Sequence, residues 1–134
     1  MFKINPSVRR LVPAALLVLA PFGAQGAGEC DKYSTSYDRT YCYSKLFVES
    51  DKELNSVYNE LRGQLKGRVK QDLVDVQLAW IRHRDQACQT KPGTIDVDCN
   101  YDVNRRRTDY LRDRLRECKV GNCRADMIAA PSWN

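Results

Sequence analysis

Residues 76–88 read VQLAWIRHRDQAC and place a Trp, the chain's one His, two Arg and an Asp between Trp80 and Asp85. These side chains are either one chemical cluster or the decoration of a core helix, and helical geometry separates the two. At about 100° per residue, with Trp80 as zero, Leu73 and Val76 fall within about 40° of it. Arg84 and Gln77 lie at about 40° and 60°, inside or beside the same apolar stripe. His83 sits on its edge, and Arg82 and Asp85 face solvent. The stretch is therefore a core helix carrying two polar side chains inward.

An inward Arg needs a partner, because an unpaired buried charge is very costly. Upstream, SDKELNSVYNELRGQL (residues 50–65) opens with Ser50 and has Glu53 three positions on, the spacing of a capping box. Leu54, Tyr58, Leu61 and Leu65 then share one stripe. Gly67 breaks the pattern, and a second helix spans about residues 69–88. If the two form an antiparallel hairpin about Gly67, the numbers of facing residues sum to about 134. Leu61 then meets Leu73, Tyr58 meets Val76, Leu54 meets Trp80, and Asp51 stands near Arg84. The expectation is a partly buried Asp51–Arg84 ion pair that fixes register, with Asn55 placed to bond Gln77. The competing reading makes Arg84 a ligand-binding residue.

Residues 36–48 form a further short helix, separate or continuous with the next. QTKPGTIDVD (residues 89–98) is a loop, and a last helix over about residues 101–118 carries Val103, Tyr110, Leu111 and Leu115. There is no repeat and no β-alternation. The fold class is all-α: a small, disulfide-stapled bundle of three to four helices built on an antiparallel helical hairpin. The tail after Cys123 is short and loosely held.

Residues 1–26 read as a signal peptide. Lys3, Arg9 and Arg10 precede the apolar run LVPAALLVLA, and small residues lead to cleavage near Gly26. The run is about half the ~20 residues that span a bilayer, so no membrane insertion is expected. Residues 27–134 remain as one domain, and its net charge falls from +5 to +2 once those three cations are gone. That is no footprint of a nucleic-acid binder. Within NRRRTDYLRDRLRE (residues 104–117) both signs interlace at helical spacing, which reads as a solvated helix face.

All six Cys follow the leader, and an even number in a small exported domain reads as a disulfide framework. Zinc is the competing reading, but no CxxC occurs, and neither a metal nor another cofactor is implied. Six Cys allow fifteen pairings. Cys88–Cys99 closes residues 89–98 without rearranging other helices, proximity favours Cys118–Cys123, and Cys30–Cys42 remains by elimination.

The spaced positions Asp51, Leu54, Asn55 and Tyr58, then Gln77, Trp80, Arg84, Asp85 and Cys88, resemble the LprI-type lysozyme inhibitor family. Its pattern is D-x-x-L-N-x-x-Y followed by Q-x-x-W-x-x-x-R-D-x-x-C. Cys30 and Cys42 resemble its N-terminal Cys pair, and Cys99 and Arg107 its downstream Cys and Arg. The resemblance covers residues 30–115. It departs in two places: the namesake is a lipoprotein, whereas Cys30 here follows Glu29, and Cys118 and Cys123 are additions to the pattern.

The residues offer little to catalysis. His83 and Asp85 lie about 200° apart on the wheel and cannot form a dyad. The cysteines are assigned to disulfides, and no phosphate loop occurs. The resemblance implies a protein partner, a lysozyme or related cell-wall hydrolase, blocked by surface or cleft occlusion. The alternative is an envelope accessory or immunity-type protein with another partner. Animal lysozymes are basic, so a +2 domain gains no long-range attraction, yet a lysozyme cleft holds carboxylates. Residues 81–134 carry the positive excess, eleven Lys and Arg against eight Asp and Glu. Within them, Lys91 before Pro92 and Gly93 puts a cation at the projecting turn of the one long loop, the expected partner-binding element.

Overall fold

The computed structural model describes residues 28–131 and Trp133. The expected signal peptide lies outside the described residues. Four helices follow in chain order: α1 (Ser36–Gln64), α2 (Gly67–Ala87), α3 (Val97–Lys119) and α4 (Ala125–Ala129). Among the described residues there is no strand, and no helix is long and apolar enough to cross a membrane.

The upstream helix and the next are one. α1 is capped at Thr35, whose hydroxyl accepts from the Asp38 N–H at 3.0 Å. Ser50 is not a cap: it is buried in mid-helix and its hydroxyl donates to the Phe47 carbonyl at 2.8 Å. The capping-box spacing is local and is overridden by packing. Tyr43, Leu46 and Phe47 cluster with Tyr101 and Val97, so the chain before Ser50 has its own apolar face to bury as a helix. Leu65 and Lys66 are extended, and Gly67 opens α2 at φ +54, a conformation costly for other residues. α3 begins earlier than its apolar pattern indicates. The Asp96 carboxylate accepts from the Cys99 N–H at 3.4 Å, so Cys99 lies in the first turn and the loop shrinks to residues 89–96.

The cross-helix contacts give the topology. Tyr43 meets Tyr101, Ser50 meets Asn104, Glu53 meets Arg112 and Glu60 meets Lys119, so α1 and α3 run parallel. Arg84 reaches Asp51 and Asn104, so α2 runs antiparallel to both. The hairpin of α1 and α2 is present, but the closest helix pair is α1 with α3. Side-chain size explains it. Ser50 and Asn104 touch directly at 3.3 Å, whereas α2 interposes Trp80, Gln77 and Arg84.

The main core joins Leu54, Val57 and Leu61 of α1, and Leu65 just after it, to Leu73 and Trp80 of α2 and Val103, Leu111 and Leu115 of α3. Three disulfides fix its edges. Cys30–Cys42 ties the leading segment to α1, Cys88–Cys99 ties the end of α2 to the start of α3, and Cys118–Cys123 closes the turn after α3. Closing loops of this size stabilises a small domain by about 2–3 kcal/mol each, chiefly by restricting the unfolded chain.

The residues after Cys123 are not loose. Ile128 on α4 is 2% exposed, the Tyr110 hydroxyl donates to the Met127 carbonyl, and the Trp133 ring stacks on His83 at 5.7 Å. One apolar side chain on a five-residue helix has no periodicity to recognise, which is why the sequence reads as a free tail. Ile128→Ala should therefore cost about 2–4 kcal/mol in urea unfolding, as for other buried aliphatics. A free tail would leave the midpoint unchanged.

Candidate functional site

The inward polar side chains of α2 meet α1 and α3 in one network. Arg84 Nη1 lies 3.4 Å from both Asp51 Oδ1 and Asn104 Oδ1. Its Nε and Nη2 donate to Asp85 Oδ1 at 3.0 and 2.8 Å, and the guanidinium stands 5.4 Å from the Trp80 ring centroid. The fully buried Asn104 amide donates to Ser50 Oγ at 3.3 Å and Asp51 Oδ1 at 3.4 Å. The Asp51–Arg84 pair thus exists, but it is long and the Asp51 side chain is 43% exposed. Its coupling belongs with surface pairs, at about 0.5–1 kcal/mol, and not with buried ones.

Asn55 does not reach Gln77. It is exposed and donates back to Asp51 at 3.3 Å. The Gln77 carbonyl oxygen instead accepts from Arg107 Nε at 3.0 Å. α3, not α1, supplies that partner, because α3 is the helix that α2 covers at this level.

Arg107 corrects the solvated-face reading of residues 104–117. That reading holds for Arg112 with Asp109 and Arg116 with Asp113, paired at i,i+3. It fails for Asn104, Arg107 and Arg114, which are buried. Arg114 is satisfied by Glu117 at 2.8 and 2.7 Å. Arg107, 3% exposed, lies 5.8 Å from the Trp80 centroid and 5.4 Å from that of Tyr110. Burial pushes its pKa down to about 10, so it stays a cation at neutral pH. Neither of its Nη atoms has a hydrogen-bond partner among the described residues. The signal was in the sequence: positions 104, 107, 108, 111, 115 and 118 form one helical stripe, so Arg107 shares a face with Leu111 and Cys118.

Lys91, Pro92 and Gly93 are exposed on a tied turn. The Thr94 N–H and hydroxyl donate to the Lys91 carbonyl at 3.0 and 2.7 Å, and Gly93 takes φ +77. Below it the Asp96 N–H donates to the Cys88 carbonyl at 3.1 Å, beside the disulfide. The loop and the first turns of α1 border a shallow acidic depression with Asp31, Asp96 and Asp98 against Arg39. A hydrogen bond between Asp96 and Asp98 raises the pKa of the first and lowers that of the second.

α2 ends beside Asp51, which leaves one face of the first half of α1 uncovered. Tyr37, 79% exposed, Tyr41 and Val48 form an exposed stripe there, with Lys45 Nζ 4.4 Å from the Tyr41 centroid. His83 is half-buried against Trp133. All six Cys sulfurs are in disulfides, and among the described residues no group of three or more His, Cys, Asp and Glu is placed to hold a metal ion.

The family model for lysozyme inhibitor LprI matches residues 29–111, from the residue before Cys30 to Leu111 on α3. The chain belongs to the LprI family. No curated protein and no solved structure matches it. In this LprI domain, Gln77, Trp80, Arg84 and Arg107 all lie in the network between the helices, and Cys88 and Cys99 form one staple. The family is one of inhibitors, and the disulfides accord with an extracytoplasmic location.

Two outcomes follow from the network. A double-mutant cycle of Asp51→Ala with Arg84→Met should give a coupling of about 0.5–1 kcal/mol; a coupling of several kcal/mol would restore the buried-pair reading. Replacing Gln77 by Leu together with Arg107 by Met should leave stability unchanged or raise it by about 1–4 kcal/mol, since it removes a buried cation without a counter-ion. A loss of stability in thermal unfolding would show that the ring contacts outweigh desolvation.

Proposed function

We propose that this exported LprI domain, released into the periplasm or medium by cleavage near Gly26, inhibits a lysozyme or related cell-wall hydrolase. The inhibitory element is the loop of residues 89–96, and it acts by occlusion of the catalytic cleft. The observation that carries this reading is the combination of exposure and restraint in the loop. Lys91 projects from a hydrogen-bonded turn whose base is stapled by Cys88–Cys99. A segment held in one conformation loses little entropy on binding, which favours it as an insertion element. The charges are arranged to match such a target: Lys91 would approach the cleft carboxylates, while Asp31, Asp96 and Asp98 would face the cationic surface of a basic lysozyme.

A second reading, an envelope accessory or immunity-type protein with another protein partner, draws on the exposed stripe of Tyr37, Tyr41 and Val48. The two separate by mutation. Lys91→Glu should weaken lysozyme inhibition at least tenfold, about 1.4 kcal/mol, with no change in melting temperature. Inhibition lost through Tyr37→Ser with Tyr41→Ser, and retained in Lys91→Glu, would move the site to α1. A wild-type domain that fails to inhibit any lysozyme would return the protein to the accessory reading.

A further inference from the structure

Arg107 forms part of the wall of a cavity of about 470 Å³ between α2, α3 and the tail, bordered also by Trp80, Tyr110, Trp133, Arg106 and Asp109. None of residues 89–96 takes part in it. Three aromatic rings and Val103 form its apolar wall. Its charges are unbalanced, because Asp109 is engaged by Arg112 at 2.9 Å and Arg106 takes part in none of the ion pairs among the described residues. Two guanidinium groups therefore remain without a carboxylate partner, one of them buried with both Nη atoms lacking any acceptor.

A buried cation in that condition is a cost to folding, and a protein interior normally satisfies such donors. A planar guanidinium is also suited to grip a carboxylate through two parallel N–H donors. Flat apolar walls with one or two polar anchors, at this volume, are the usual makeup of a small-ligand site. We propose that the cavity binds a carboxylate carried on an aromatic body, with Arg107 and Arg106 holding the anion and Trp80, Tyr110 and Trp133 enclosing the ring. The Arg107 Nη atoms are out of contact with solvent, so a rim side chain must move to admit the ligand. Trp133, the one lining side chain that stands on the tail and not on α2 or α3, is the rim side chain assigned to that movement. The carboxylate has two chemical sources, a free aromatic acid or the C-terminus of a peptide ending in an aromatic residue.

The chain's two Trp both border the cavity, so intrinsic fluorescence reads it directly. The mature domain would be titrated with benzoate, with its neutral isostere benzamide, and with acetyl-Ala-Phe in free and amidated forms. Benzoate or the free peptide should give a saturable change with Kd of about 1 mM or below, and the uncharged counterpart should bind at least tenfold more weakly. The tighter of the two acids identifies the source. Arg107→Gln should weaken binding at least tenfold and Arg106→Gln at least threefold, with circular dichroism reporting the fold. If Arg107→Gln does not fold, the exposed Arg106→Gln decides alone. Equal binding of charged and neutral probes, no saturation by either acid, or an unaltered Kd in the folded Arg variants would overturn the proposal.

Discussion

Gln77 and Arg84, the polar side chains that α2 turns inward beside Trp80, need partners on other helices, and the register of the bundle is arranged around that requirement. Gln77 and Arg84 flank Trp80 on the buried face of α2. α3 answers with Arg107 and Asn104, and α1 with Ser50 and Asp51. Hydrophobic burial drives the collapse but is indifferent to small shifts along the helix axes. The hydrogen bonds are not indifferent: sliding α2 by one turn would strand Gln77 and Arg84 against Leu residues, at about 1–3 kcal/mol for each unsatisfied group. The network thereby sets register, while the Leu ladder and the disulfides supply most of the stability.

The parts legible in the sequence were those governed by local periodicity or short closure. The inward turn of Arg84 follows from its position four residues after Trp80, and Asp51 follows once α2 is folded back about Gly67. The Cys88–Cys99 closure needs only a short loop. What escaped was the identity of the third helix's partners. Reading residues 104–117 as charge pairs draws attention to Asp109 and Asp113, which do pair on the surface. It hides the fact that Arg107 and Arg114 lie on the stripe of Leu111 and Leu115. Composition pointed outward and phase pointed inward, and phase was the better guide. Likewise a two-helix hairpin assigned Gln77 to Asn55, because nothing in the hairpin itself announces that a parallel α3 will fill the groove first.

Ser50 and Ile128 mark the limits of local rules in opposite directions. Ser50 carries a start signal that goes unused, since the Tyr43–Tyr101 cluster and the Cys30–Cys42 staple hold the preceding residues helical. Ile128 carries no signal at all, yet a single buried side chain and the Tyr110–Met127 hydrogen bond dock the tail. In both cases the deciding contact is distant in sequence, and no window of a dozen residues contains it.

The residues by which the chain resembles its family have a consequence for where its target must be sought. Leu54, Gln77, Trp80, Cys88 and Arg107 are buried; Tyr58 and Arg84 are partly so; Asp51 lies at the rim of the network, with Asn55 and Asp85 exposed beside it. Apart from Asp51, Asn55 and Asp85, these side chains are turned into the domain and present little surface to a large partner. They specify the scaffold, and a scaffold does not by itself transmit a target. The surfaces that are free differ in kind: a stapled loop with Lys91 at its tip, and an aromatic stripe on α1. The aromatic cavity at Arg107 is a third, and its Trp133 wall stands beyond the span that the family model matches. Most of the motif is therefore scaffold, and two proteins sharing it need share no target. Loop residues 89–96 have both the exposure and the restraint that contact with a target needs, whereas most motif residues have the restraint alone.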